Sequence, residues 1–198
     1  LYLFAMRLAM AKGKLDEAQA RRLTAELLQT GEKINGILEN CDQIKFLASK
    51  FMNASDLFFM GRGFDYALSL EASLKLKEIS YIHSEAYAAG ELKHGTISLI
   101  EQGTPVIALA TQKDIYEKTI SNIKETKSRG ANTLLFTTQN QPVPDGVADY
   151  VVRLPEFEEL FMPMLLIVPL QLFAYYVSVL RGCDVDKPRN LAKSVTVE

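Results

Sequence analysis

Three short apolar runs set the strongest constraint on this chain. They are Asp56–Met60 (DLFFM), Pro105–Ala110 (PVIALA) and Thr133–Thr137 (TLLFT). Each is too short for a helix, lacks the polar alternation of a half-exposed strand, and is bounded by turn formers such as Asn53, Ser55, Gly61 and Gly130. Runs of that kind are strands buried on both faces, the signature of a parallel sheet. A fourth run, Tyr150–Leu154, is shorter and more polar. Between the runs the apolar residues recur at helical spacing: Ala67–Tyr87, Ile115–Ser128 and Leu160–Arg181 read as helices, with Gly182 just past the last one. Strands alternating with helices predict an α/β fold, a parallel sheet covered by helices on both faces.

A helical lead-in precedes the first strand. Leu1–Lys12 reads as a helix closed by Gly13, followed by Leu15–Thr30, Glu32–Glu39 and Asp42–Met52. No capping residue precedes Leu1. The expected organisation is therefore a segment 1–14 that ends a helix from a preceding unit, a domain over 15–182 and an irregular tail over 183–198. Leu160–Leu180 carries no charge over 21 residues and imitates a membrane span. Pro163, Pro169 and Gln171 interrupt it, and a buried core helix is the expected outcome.

Charge and cysteine content exclude several classes. The chain has 198 residues, a net charge of −2 and no Lys/Arg block, so no nucleic-acid partner and no membrane partner are expected. Cys41 and Cys183 are the two cysteines, far apart and outside any Cys/His cluster. No metal site or cofactor is expected, and the pattern fits a reducing, cytoplasmic setting.

Three stretches carry possible chemistry. Gly61-Arg62-Gly63 joins the first strand to a helix. It is either an ordinary tight turn or a place where helix N-terminal amides meet an anion in the crevice beyond the carboxyl ends of the strands. On the following helix Glu71, Lys75 and Glu78 are spaced i, i+4, i+7 and share one face. They are either a surface ion-pair stripe or a carboxylate base held beside a lysine. The stretch His83–Gly95 (HSEAYAAGELKHG) places His94 in a loop between Lys93 and Gly95. His83 is read as structural.

The last stretch is the tail, Asp184–Glu198 (DVDKPRNLAKSVTVE). Lys193 sits there among small and apolar neighbours, with Pro188, Arg189 and Asn190 stiffening the approach. The segment either frays in solvent or docks and delivers an amine into a pocket. A free amine near its usual pKa of about 10.4 is protonated at neutral pH and cannot attack a carbonyl. Desolvation, or a cation such as Lys75 or Arg189 nearby, lowers it.

These stretches, in order and across nearly the whole chain, resemble the isomerase half of the glucosamine-6-phosphate synthase family, the glutamine-dependent fructose-6-phosphate amidotransferases. Leu15–Arg181 resembles its SIS (sugar isomerase) domain, a three-layer fold with a parallel sheet flanked by helices. The resemblance implies a reaction: fructose 6-phosphate and glutamine-derived ammonia give glucosamine 6-phosphate. It also implies roles. His94 opens the sugar ring, reaching the site of a neighbouring subunit in a homodimer. Lys193 forms a Schiff base with the ketone, and Glu78 moves a proton from carbon 1 to carbon 2. Glu71, Lys75 and Ala192 bind substrate, and Lys93 and Arg189 couple the site to a glutaminase domain. The family has proline where this chain has Thr96.

The family's phosphate cradle is a serine/threonine-rich loop. At the matching place this chain reads Ala110–Asp114 (ATQKD), with Thr111 its one hydroxyl. The chain thus resembles the second of two SIS halves, and the preceding half and an N-terminal glutaminase domain are expected partners in the same chain. Two rivals stand beside this reading: a non-catalytic SIS module that binds sugar phosphate to regulate, and an SIS deglycase or deaminase, which resembles the domain but not the tail.

Overall fold

The computed structural model describes residues 1–191, so Ala192, Lys193 and the rest of the tail lie outside the described residues. Four helices lead in: α1 (Tyr2–Ala11), α2 (Glu17–Leu28), α3 (Thr30–Glu39) and α4 (Asp42–Phe51). Asp16 starts α2 with a reciprocal cap. Its carboxylate accepts from the Gln19 N–H at 2.7 Å, and the Gln19 side chain accepts from the Asp16 N–H. The alternating part then runs β1 (Asp56–Gly61), α5 (Phe64–Ser80), β2 (His83–Ala88), β3 (Pro105–Ala110), α6 (Tyr116–Lys127), β4 (Asn132–Thr138), β5 (Tyr150–Leu154) and α7 (Met162–Leu180).

The five strands form one sheet in the order β2-β1-β3-β4-β5, every pair parallel. Side chains alternate across it. Leu57, Phe59, Ile107, Leu109, Leu134, Phe136 and Val152 face α4, α5 and α7. Phe58, Met60, Val106, Ala108 and Leu135 face α6 and the segment that follows β2. Both faces are therefore buried, which is why the strand sequences are apolar throughout rather than alternating. A third cluster, Met6, Ala20, Leu23 and Phe161, seats α1 and α2 on the start of α7.

The apolar span at the chain's end is a core helix. Glu159–Leu180 is long and apolar enough to cross a membrane by length and composition, yet Leu166, Leu170, Phe173 and Val177 are buried against α4, α5 and the sheet.

One expected element is corrected. The helix over Ala67–Tyr87 ends at Ser80, and His83–Ala88 is a fifth strand at the sheet edge. Tyr81 ends the helix with φ 63°, a left-handed backbone. The strand escapes a sequence reading because Ser-Glu-Ala-Tyr-Ala is small, polar and helix-tolerant. Pairing with β1 decides its structure instead, in the register Asp56↔His83 to Gly61↔Ala88. Two buried serines then hold α5 to it. The Ser73 hydroxyl donates to the Ser84 carbonyl at 2.9 Å, and the Ser84 hydroxyl donates to the Ser73 carbonyl at 2.8 Å.

Leu76 is the residue through which α5 enters the core, fully buried in that cluster. Replacing it with alanine is expected to cost about 2–5 kcal/mol. Urea unfolding of Leu76→Ala measures this; a loss below half a kcal/mol would mean that α5 is held by its ends alone.

Candidate functional site

Helix α5 carries two different environments at its two ends. Its amino end meets the carboxyl ends of β1 and β3, where the strand order reverses and the fold leaves a crevice. Here Gly61 and Gly63 are required by close packing. A Cβ on Gly61 would lie 2.6 Å from the Asp65 backbone, and one on Gly63, at φ 55°, would lie 2.5 Å from the Gln112 side chain. Gln112 is the occupant of this crevice. Its side-chain oxygen accepts from the Phe64 N–H at 2.6 Å and the Asp65 N–H at 3.4 Å. Those are the first amides of α5, the donors that an anion would use.

Of the two readings of the Gly61–Gly63 turn, this arrangement fits the ordinary tight turn, since the Phe64 and Asp65 amides that follow it are satisfied from within. Beside them the Asp65 carboxylate, 2% exposed, accepts from the Thr111 N–H at 2.7 Å and the Thr111 hydroxyl at 2.6 Å. The one hydroxyl of the degenerate loop is thus consumed too. Nothing in the sequence announced that Gln112 would fold back onto α5.

The other end of α5 holds the charged face. Lys75 Nζ lies 2.7 Å from Glu78 Oε2 and 3.8 Å from Glu71 Oε1, so the spacing i, i+4, i+7 does bring the three together. All three are half-buried. The hydrogen bond with Glu78, then the two carboxylate charges, hold Lys75 above its ordinary value against the effect of burial, so it is a fixed cation.

Near Glu78 the chain's last described residues return. The Arg189 N–H donates to the Tyr81 hydroxyl at 2.9 Å, and the Arg189 guanidinium stacks on the Tyr81 ring at 4.1 Å from its centre. A shallow groove of about 440 Å³ opens between them, lined by Leu74, Lys77, Glu78, Tyr81, Arg189, Asn190 and Leu191. The returning segment is held at Arg189, and the exposed Asn190 and Leu191 border the groove. Tyr81 was not singled out from sequence, since nothing local marks a tyrosine at a helix end.

This groove lies at the amino ends of the strands, not the carboxyl ends. Arg181, just past α7, donates to the carbonyls of Ser80 and Met52, tying the end of α5 to the approach of β1. His94 is placed elsewhere again. It is exposed on a short 3-10 turn (Leu92–His94), and the buried Leu92 of that turn belongs to the core on the opposite face of the sheet from α5. Lys93 beside it is exposed as well. Within one chain, His94 and Glu78 are not brought together. Ala192 and Lys193 lie outside the described residues. Among the described residues there is no cluster of three or more His, Cys, Asp or Glu side chains placed to hold a metal ion.

Residues 50–181 match the model of the SIS domain. The chain belongs to the SIS domain family. The family match begins at residue 50, later than the Leu15 expected from sequence, so α1 to α3 precede the matched region. Among whole proteins, this SIS chain is 52% identical over all 198 residues to the isomerizing glutamine–fructose-6-phosphate aminotransferase of Caldanaerobacter subterraneus subsp. tengcongensis. It spans 33% of that relative's length. Among solved structures, 94% of the chain matches 52% of the C-terminal domain of glucosamine-fructose-6-phosphate aminotransferase from Francisella tularensis, at TM-score 0.88 and 33% identity. A glucosamine-6-phosphate deaminase from Thermotoga maritima matches at TM-score 0.64 and 26% identity, covering 96% of this chain and 52% of that one.

The buried Asp65 makes a measurable prediction about this SIS domain. Burial pushes its carboxyl above the ordinary value, against the pull of the Thr111 hydrogen bonds. A group whose folded pKa is raised contributes stability that is complete below the unfolded value, about 3.9, and is lost as pH rises through the folded one. Wild type minus Asp65→Asn should therefore fall in melting temperature as pH rises from about 4 toward neutrality. Asp65→Ala, which orphans two buried Thr111 donors, is expected to cost about 1–3 kcal/mol for each. A pH-independent difference in the first series would mean that the carboxylate is ionised without penalty.

Proposed function

We propose that this chain is the second SIS half and tail of an isomerizing glutamine–fructose-6-phosphate aminotransferase, and that it supplies the lysine, the base and the ring-opening histidine of the sugar site. The observation that carries the reading is the groove in which the half-buried Glu78, backed by the cation Lys75, faces the returning tail four residues before Lys193. The near-half identity over the full chain supports it, twice that to the deaminase structure.

The chemistry divides among named side chains. His94 moves a proton to open the furanose ring. The neutral amine of Lys193 then adds to the ketone at carbon 2 and water leaves, giving an imine. Ammonia displaces the lysine. Glu78 takes a proton from carbon 1 and returns it to carbon 2, so that the ketose imine becomes the 2-amino aldose. Lys75 and Glu71 hold Glu78 in place and with Ala192 contact the open-chain sugar, and the Lys75 charge lowers the basicity of an approaching Lys193.

Two absences shape the rest. The amides at the start of α5 are closed by Gln112, so the sugar's phosphate is held by a preceding SIS half of the parent chain. His94 lies across the sheet from Glu78, so it serves the site of a second subunit and the working form is a homodimer. Ammonia comes from an N-terminal glutaminase domain, with Arg189 and Lys93 at the junction. A cytoplasmic setting follows from these substrates.

Borohydride trapping of the full-length parent enzyme with fructose 6-phosphate tests the reading. A reduced sugar adduct on the Lys193 peptide is expected. A protein that binds the sugar and leaves no adduct there would favour a non-catalytic sugar-phosphate module. In the same enzyme Lys193→Ala should abolish synthesis. Glu78→Gln should slow isomerisation about 10²–10⁴-fold while leaving sugar affinity nearly unchanged. A near-normal rate in Glu78→Gln would place the base elsewhere.

A further inference from the structure

Tyr81 is the one described non-glycine residue besides Asn190 with a left-handed backbone. At the end of a helix that conformation is ordinarily given to glycine, which adopts it without steric cost. A tyrosine there is strained, and strain of this kind persists only where the surroundings over-determine it. They do so here. Arg181 fixes the carbonyl of the preceding residue, Ser80, and β2 begins two residues later with His83 paired to Asp56.

What the strain obtains is the direction of the ring. Tyr81 presents its hydroxyl to the Arg189 N–H at 2.9 Å and its ring face to the Arg189 guanidinium at 4.1 Å. One side chain thus grips both the backbone and the side chain of the returning segment. The segment reaches it already shaped. The Asp184 carboxylate accepts from the N–H groups of Asp186 and Lys187, both at 3.0 Å, closing a turn before Pro188. Beyond the grip, Leu191 lines the groove with Glu78. From the gripped Arg189 four residues lead to Lys193, and four residues extend at most about 14 Å. The point of attachment therefore sets the reach of the lysine.

We propose that Tyr81 is a positioning residue, a latch that holds the C-terminal segment against the end of α5, at the groove that Glu78 lines, and so bounds the reach of Lys193. The proposal rests on the Schiff-base reading of the preceding section for its consequence, but not for the latch itself.

The test uses the full-length parent enzyme as wild type, Tyr81→Phe and Tyr81→Gly. Tyr81→Gly relieves the backbone and removes the grip, and it should melt within about 3 °C of wild type, since glycine suits φ 63°. Borohydride trapping at Lys193 should slow about tenfold in it, the effect of losing one hydrogen bond and one cation–ring stack together. Tyr81→Phe keeps the stack and should slow by no more than about threefold. Carboxypeptidase release of the tail residues gives a readout that needs no chemistry: faster in Tyr81→Gly, near wild type in Tyr81→Phe. If Tyr81→Gly melts well below wild type, Tyr81→Asn, which also tolerates left-handed backbone, is read in its place. Equal tail release in all variants overturns the latch. A wild type that forms no adduct on Lys193 overturns the Schiff-base reading instead, and the release rates still decide the latch.

Discussion

The candidate site depends on where helix α5 is held, and α5 is pinned at both ends by buried or half-buried polar groups. At its start, Asp65 and Gln112 tie it to the loop after β3. At its finish, Arg181 fixes the Ser80 carbonyl, and the paired serines Ser73 and Ser84 bind its middle to the edge strand. Between these points Leu76 and Ala72 fill the core. A helix fixed at three places along 17 residues presents its outer face, Glu71, Lys75 and Glu78, in one orientation. Polar groups that must reach their partners in a dry interior specify position more sharply than apolar packing does.

Much of this was legible in the residues. Strands buried on both faces announce themselves as unbroken apolar runs, which is why β1, β3 and β4 and the helices between them were readable. The face shared by Glu71, Lys75 and Glu78 follows from helical spacing alone. The edge strand β2 did not show, because an edge strand carries little apolar demand and its residues suit a helix as well. The contents of the crevice were illegible for a different reason. Gln112 meets Phe64 across 48 residues of sequence, and only the assembled sheet brings them together. Tyr81 belongs to the same class: its partner, Arg189, lies 108 residues further on.

The sheet also separates what the sequence puts close. Glu78 and His94 are only sixteen positions apart in the chain, yet α5 and the turn bearing His94 pack on opposite faces. A strand between two residues acts as a wall, and nearness in sequence does not carry across it.

The glutamine seated on the start of α5 has a consequence in terms of competition. Gln112 is an uncharged ligand that the protein carries on its own backbone. Its local concentration is that of a tethered group, in the millimolar range or above. A free anion arriving at those amides must displace it, and gains only its charge in exchange. The SIS fold here keeps the geometry of an anion cradle while holding it shut with a resident that never dissociates from the chain.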